Sequence, residues 1–173
     1  LNTRSGGSNY VTLWALTNPL GSPPTLTRQA TVSVSSYSVP PDAQQLGGPD
    51  LIATNDCRTQ DVQYRNGYVY AVFPVGYNWG SGTVSAIRYL KINTSTNNAT
   101  SDLTYGSDGF YYYFPAVYTT SDERVVMVFN RSSSTEYAGC RYVGNFPSDQ
   151  ISAQLKAGEG YYTLGSAPHP RGD

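Results

Sequence analysis

The sequence predicts an all-β fold of antiparallel strands, and three observations support this prediction. Tyrosine occurs 16 times among the 173 residues, whereas Glu occurs only three times. Aromatic and β-branched side chains favour strands, while straight-chain residues such as Glu and Lys favour helices. The other two observations are a hairpin signal at Asn66-Gly67 and a repeat of about 54 residues. Repeats of this length are typical of propeller blades, so we expect roughly three to four partial blades. A β-sandwich or jelly roll is the alternative.

The strands are predicted from apolar segments that are separated by turn residues. They are Tyr10–Leu16, Ala30–Val39, the hairpin Asp61–Phe73, Val84–Ile92, Phe110–Tyr118, Arg124–Asn130 and Tyr137–Val143. The loops are Asn18–Pro24, Pro40–Pro49, Gly76–Gly82 and Asn93–Asp108. Ser148–Ala157 fits either a helix or a strand with a turn.

Two of these strands carry patterns that predict side-chain direction. In Ala30–Val39, valines alternate with serines until Ser35-Ser36, which indicates a bulge there. In Phe110–Tyr118, strict alternation predicts two faces. One face would carry Phe110, Tyr112 and Phe114, and the other Tyr111 and Tyr113.

The hairpin recurs later in the chain. Val62-Gln63-Tyr64, a turn and Tyr68–Phe73 are paralleled by Ala116-Val117-Tyr118, a turn and Arg124–Phe129. Each hairpin leads to a strand with an Arg-Tyr pair, at Arg88-Tyr89 and at Arg141-Tyr142. We therefore expect one supersecondary unit that occurs twice.

The length fits a single domain. Residues 1–9 are polar and glycine-rich, which predicts a flexible lead-in. Residues 10–165 are expected to form one all-β repeat domain, and residues 166–173 a tail.

Charge and hydropathy exclude several classes of partner. Eleven basic and twelve acidic residues give a formal net charge of −1, without the basic excess that nucleic-acid binding requires. No apolar run reaches the roughly 18 residues of a membrane-spanning helix. The chain opens Leu1-Asn2 without Met, so we expect a mature product from which a targeting segment was removed.

Three sequons fit an extracellular protein. They begin at Asn93, Asn98 and Asn130, and each accepts an N-glycan in a glycosylating compartment. A chain rich in Ser, Thr and Asn also produces sequons by chance.

Cys57 and Cys140 are the only cysteines, too few for a structural zinc site. In an oxidising compartment they would form one disulfide, worth roughly 4 kcal/mol in the chain-entropy model. The alternative is two small buried thiols.

No group of residues indicates catalysis, a cofactor or a metal. The sequence has no phosphate-binding loop, metal-ligand cluster or nucleophile motif. Its single histidine, His169, lies in the predicted tail, as does the adhesion tripeptide Arg171-Gly172-Asp173. Four aromatic residues are candidates for stacking on sugar rings, although filling space between sheets is the alternative. They are Tyr77, Trp79, Tyr111 and Tyr113.

The chain resembles secreted bacterial β-propeller proteins with sialidase-like repeats. Six segments carry the resemblance: Leu13–Gly21, Ser36–Gly48, Asn55–Arg58, the Asn66-Gly67 hairpin, Phe114–Tyr137 and Gly158–Tyr162. In that family an Arg-Trp-Gly-Asp-Tyr segment and more blades follow, whereas here the sequence reads His169-Pro170-Arg171-Gly172-Asp173. The resemblance implies blades but no catalytic residues that can be transferred.

Together these features predict an extracellular or cell-surface module that is N-glycosylated and structural or binding in role. Blades with uncovered ends expose apolar faces, so we expect self-association into an oligomer or fibre, or a companion chain. The alternatives are a fragment of a sialidase-like enzyme or a carbohydrate-binding module.

Overall fold

The computed structural model describes residues 1–163 and builds them from β-strands, with no helix in that range. The all-β prediction is confirmed. The strands are β1 (Ser8–Thr17), β2 (Thr25–Tyr37), β3 (Asp61–Arg65), β4 (Tyr68–Asn78), β5 (Thr83–Asn93), β6 (Asn98–Tyr105), β7 (Tyr111–Thr119), β8 (Val125–Ser133), β9 (Glu136–Phe146) and β10 (Ala153–Lys156).

The strands form three antiparallel sheets. We call β1–β2 the hairpin sheet, β3–β4–β5–β6 the central sheet, and β7–β8–β9–β10 the distal sheet. In both four-stranded sheets each strand pairs with its neighbour in sequence, so both are simple meanders. Such local pairing needs only short turns, which the Gly- and Asn-rich connections supply.

The central sheet is buried on both faces. On β4, Val69, Ala71 and Phe73 belong to a buried cluster that they share with Val11 and Leu13 of the hairpin sheet. The intervening Tyr70 and Val72 belong to a second cluster, shared with the distal sheet residues Met127 and Phe129. Since successive side chains on a strand point to opposite faces, an unbroken apolar strand must be covered from both sides.

The predicted hairpin and repeat are present. Asn66 and Gly67 have φ angles of 50° and 81°, the left-handed conformation that a two-residue hairpin turn requires. The Arg-Tyr pairs lie at equivalent places, because Val72 pairs with Tyr89 as Val128 pairs with Tyr142.

The structure changes how the two repeat units align with each other. In the first strand of each unit, the predicted alignment is shifted by one residue. Asp61 pairs with Val72, and Ala116 pairs with Val128. Asp61, rather than Val62, is therefore the counterpart of Ala116. The two hairpin turns differ in length, and this difference causes the shift.

The predicted faces of Phe110–Tyr118 hold up to Tyr113, since Phe110 and Tyr112 pack in the same cluster, but the placement of Phe114 is wrong. The register shifts between Tyr113 and Ala116, and Phe114 has a φ of 51°. This bulge breaks the alternation after Tyr113, so that Phe114 is exposed instead of joining Tyr112 in the buried cluster. The bulge predicted near Ser35-Ser36, by contrast, is present. The register of β1 and β2 shifts between the pairs Ser8–Tyr37 and Tyr10–Ser33.

Two segments are more ordered than the sequence predicted. Asn98–Tyr105, predicted as loop, is the edge strand β6, whose mostly polar side chains hide the strand pattern. In the predicted flexible lead-in, Asn2 exchanges two backbone hydrogen bonds of 2.8 Å with Thr12, and Thr3 is buried. Ser148–Ala157 contains β10 after a turn, and the predicted tail 166–173 lies outside the described residues.

A glycine substitution tests the hairpin turn. We expect Gly67→Ala to lower the free energy of unfolding by about 1–2 kcal/mol, because a Cβ atom is disfavoured at positive φ. Gly144 is the matched control, since it too has open space around a Cβ atom but no positive φ. There, Ala should leave stability unchanged or raise it by up to about 1 kcal/mol. Equal effects of the two substitutions in urea denaturation would contradict this account.

Candidate functional site

Within residues 1–163, no other sheet covers one apolar face of the distal sheet, which we call the open face. It lies opposite the buried residues Met127 and Phe129, so the alternate side chains of each strand point away from the central sheet. Its residues are Ala116, Tyr118, Val126, Val128, Tyr142 and Ala153. None of the six is charged, and one row runs through register pairs across all four strands, Ala116–Val128–Tyr142–Ala153.

The repeat shows what such a face contacts elsewhere in the molecule. The equivalent row of the central sheet is Asp61–Val72–Tyr89–Leu103. There Tyr89 is 1% exposed and lies 5.1 Å, between ring centroids, from Phe146 of the distal sheet. Its counterpart Tyr142 is 36% exposed. The open face therefore has the residue pattern of a sheet interface without a sheet on it.

Sequence reasoning missed this site. The apolar run within Arg124–Asn130 has no alternating polar residues, a pattern that predicts a strand buried on both faces rather than an open one. The signal that could have found the face is the repeat itself, because Tyr142 occupies the position of Tyr89.

One end of the distal sheet is covered by the loop after β2. The Ser132 hydroxyl donates to the Gln44 carbonyl at 2.7 Å, and the Leu46 amide donates to the Glu136 carbonyl at 3.3 Å. Beneath this loop, the Tyr113 hydroxyl donates to Ser132 Oγ at 3.2 Å. Tyr113 is fully buried, so its predicted role in sugar stacking is wrong.

The other predicted stacking residues are at least partly accessible. Tyr77 and Trp79 lie at the β4–β5 turn with ring centroids 4.4 Å apart, and both are exposed. Asn78 Oδ1 accepts hydrogen bonds from the Gly80 and Gly82 amides, which fixes this turn. Tyr111 is half-buried on β7.

The three sequons differ in accessibility. Asn98 is exposed at the start of β6. Asn93 is half-buried, and its Oδ1 accepts hydrogen bonds from the Ser95 and Thr96 amides. Asn130 lies on the same face of β8 as Val126 and Val128, so a glycan there would stand beside the open face.

The cysteines do not form the predicted disulfide, because both are free thiols. Cys57 is buried in the cluster between the hairpin and central sheets, whereas Cys140 is half-buried on β9 of the distal sheet. The central sheet separates these two locations. Burial, with a smaller contribution from the nearby Asp56 carboxylate, raises the pKa of Cys57 to about 11.

Several acidic groups form ion pairs with basic ones. Asp102 accepts a hydrogen bond from Arg88 at 2.7 Å, and Glu136 pairs with both Arg131 and Arg141. Glu136 and Arg141 also line a cavity of about 210 Å³ between β9 and β10. Within residues 1–163, no three His, Cys, Asp or Glu side chains lie close enough together to hold a metal ion.

Comparison of the chain with protein-family models, with curated proteins and with solved structures finds no match. Over the described part of the chain, the structure has no helix of the length and apolar character needed to cross a bilayer.

Thiol labelling tests the placement of the cysteines. A pKa near 11 leaves roughly one Cys57 in a thousand as thiolate at pH 8, and the residue is buried. We expect maleimide to modify Cys140 but not Cys57 in dilute native protein, and both after unfolding without reductant. Peptide mapping by mass spectrometry gives the result. If both sites react only after reduction, a disulfide is present and our assignment is wrong.

Proposed function

We propose that this chain is an extracellular structural or binding module that self-associates through the open face of its distal sheet. Its sheets act as propeller-like blades, each covering the preceding one. The observation that carries the proposal is a comparison of Tyr89 with Tyr142. The two residues occupy equivalent positions, but Tyr89 is buried by a neighbouring sheet whereas Tyr142 is exposed. The same row of residues is buried in one repeat and open in the next.

The blade-like arrangement has further support in how the four-stranded sheets meet. β3 and β7 are edge strands that begin their sheets. Asp61 Oδ2 on β3 accepts the Val117 amide of β7 at 2.8 Å, and Gln63 Oε1 accepts the Thr119 amide at 2.9 Å. These side chains satisfy edge amides that no strand pairs with, and they hold the first strands of successive units together.

The apolar composition of the open face favours a role in binding another protein chain. Exposed aliphatic and aromatic side chains that adjoin one another without charges are typical of interaction sites. An ion pair lies at one border of this face, the β7–β8 turn, where Asp122 and Arg124 are 2.9 Å apart. A polar rim around an apolar centre is the usual arrangement of a protein interface.

Extracellular location is supported by the sequons and by the polar, uncharged surface composition. Asn98 is exposed, and a glycan there projects from an edge strand of the central sheet. A glycan on Asn130 would obstruct the open face, so occupancy at Asn130 and self-association through this face exclude each other.

A charge on the open face tests self-association. We expect Val128→Glu to weaken assembly at least tenfold, since association would bury an unpaired carboxylate. The matched control is Val62→Glu, because Val62 is an exposed valine on β3 of another sheet. Sedimentation equilibrium gives the dissociation constants, and circular dichroism confirms that both variants fold. A wild-type chain that stays at 18.8 kDa plus glycans at every concentration refutes the proposal.

Glycan mapping tests the extracellular assignment. We expect protein from its native source to lose mass on enzymatic deglycosylation, with the modified asparagine at Asn98 and none at Asn130. Mass spectrometry of peptides after deglycosylation in ¹⁸O water identifies each site. An unshifted native mass contradicts the glycoprotein assignment, and full occupancy at Asn130 contradicts use of the open face.

A further inference from the structure

We infer that the open face of one copy is covered by the free face of the hairpin sheet of a second copy, in a head-to-tail contact. The inference rests on the proposed self-association and names the surface that the partner supplies. The free face is the side of β1–β2 turned away from the central sheet. Its apolar residues are Trp14, Leu16 and Leu26.

Strand parity places these residues on the free face. Val11 and Leu13 of β1 lie in the cluster shared with the central sheet. Trp14 and Leu16 lie an odd number of residues after Leu13 on the same strand, so their side chains point away from the central sheet. Leu26 is the register partner of Leu16, and directly paired residues share a face.

The far part of the hairpin has no cover of its own. Leu16 and Leu26 are 57% and 62% exposed, and Trp14 is exposed as well. Residues Thr25 to Gln29 are all exposed, so β2 leaves the body of the protein as half of a two-stranded ribbon. An isolated two-stranded ribbon is marginally stable in water, and a surface beneath it would stabilise it.

The order of the sheets selects a head-to-tail contact. Hairpin, central and distal sheets follow one another, and each junction buries apolar residues from both sides. The two outer faces of this stack are different surfaces: the free face at one end and the open face at the other. If the hairpin sheet of a second copy packs on the open face, the order of hairpin, central and distal sheets repeats from one copy to the next.

One charge lies on the free face. Arg28 pairs directly with Trp14 and therefore shares its face, and its guanidinium donates to the Thr31 hydroxyl. Because the six residues of the open face include no carboxylate, the contact leaves the exposed Arg28 side chain at its border, in water. A contact between unlike surfaces repeats without closing unless a rotation closes a ring, so chains or rings result.

Mixing two variants tests the inference. Leu26→Glu blocks the free face, and Val128→Glu blocks the open face. We expect each variant alone to be monomeric, because each lacks one half of every contact. In an equimolar mixture, the open face of the Leu26→Glu chain and the free face of the Val128→Glu chain are intact and can bind each other. We therefore expect a mixed dimer of two chains and nothing larger. Native mass spectrometry with one variant isotopically labelled identifies the mixed species.

The outcomes separate the inference from the proposed function. If Leu26→Glu assembles like wild type while Val128→Glu does not, the open face self-associates in another way and the inference fails alone. The inference also fails if both variants are monomeric but their mixture gives no dimer. If neither substitution changes assembly, both proposals fail. Leu51→Glu, at an exposed loop leucine outside both surfaces, is the matched control and should assemble like wild type.

Discussion

The fold depends on one constraint: its four-stranded sheets are apolar on both faces and must therefore be covered on both sides. Antiparallel sheets commonly keep one face in water, with polar side chains at every second position. Here β4 has apolar residues at consecutive positions from Val69 to Phe73. The central sheet satisfies the constraint by lying between the other two sheets. The distal sheet has the same residue pattern and, within residues 1–163, packs against one neighbouring sheet.

Polar contacts fix how the sheets are set against one another. Arg88 is buried on β5, where it pairs with Asp102 of β6 and donates to the Ser36 carbonyl at 3.2 Å. Asp102 also accepts the Ser35 amide, so one carboxylate connects the central sheet with the hairpin sheet. Removing either member of such a buried pair would leave the other uncompensated, at a cost of about 3–5 kcal/mol. Apolar burial brings the sheets together, and these directional bonds select their relative position.

A protein assembled by stacked sheets has two ends, and these ends are where it can interact. The proposed role follows from that geometry, because side chains that would stabilise a further sheet are already in place at Val128 and Tyr142. The surface also constrains modification, since Asn130 adjoins the open face whereas Asn98 lies on a different sheet. Under the proposed function, a glycan on Asn130 would therefore compete with assembly.

The sequence by itself determined most of the local structure. Tyrosine and valine usage predicted strands, Asn66-Gly67 predicted its hairpin, and the Arg-Tyr pairs identified a unit that occurs twice. These features follow from backbone preferences of a few neighbouring residues, which is why a single sequence suffices to find them. The same local reasoning missed β6, whose polar residues form a strand only because β5 lies alongside.

Only the tertiary structure decided which face of each strand is covered. Alternation shows that Tyr112 and Tyr113 point in opposite directions, but contact with the central sheet buries Tyr112 and a loop from residues 40–50 buries Tyr113. Cys57 and Cys140 were equally suited to a disulfide by type, yet the structure places a sheet between their locations. Tyr89 and Tyr142 occur in the same local pattern, and one is buried while the other is open. Cover by a neighbouring sheet is a long-range property, because it depends on which segment of the chain arrives at that surface.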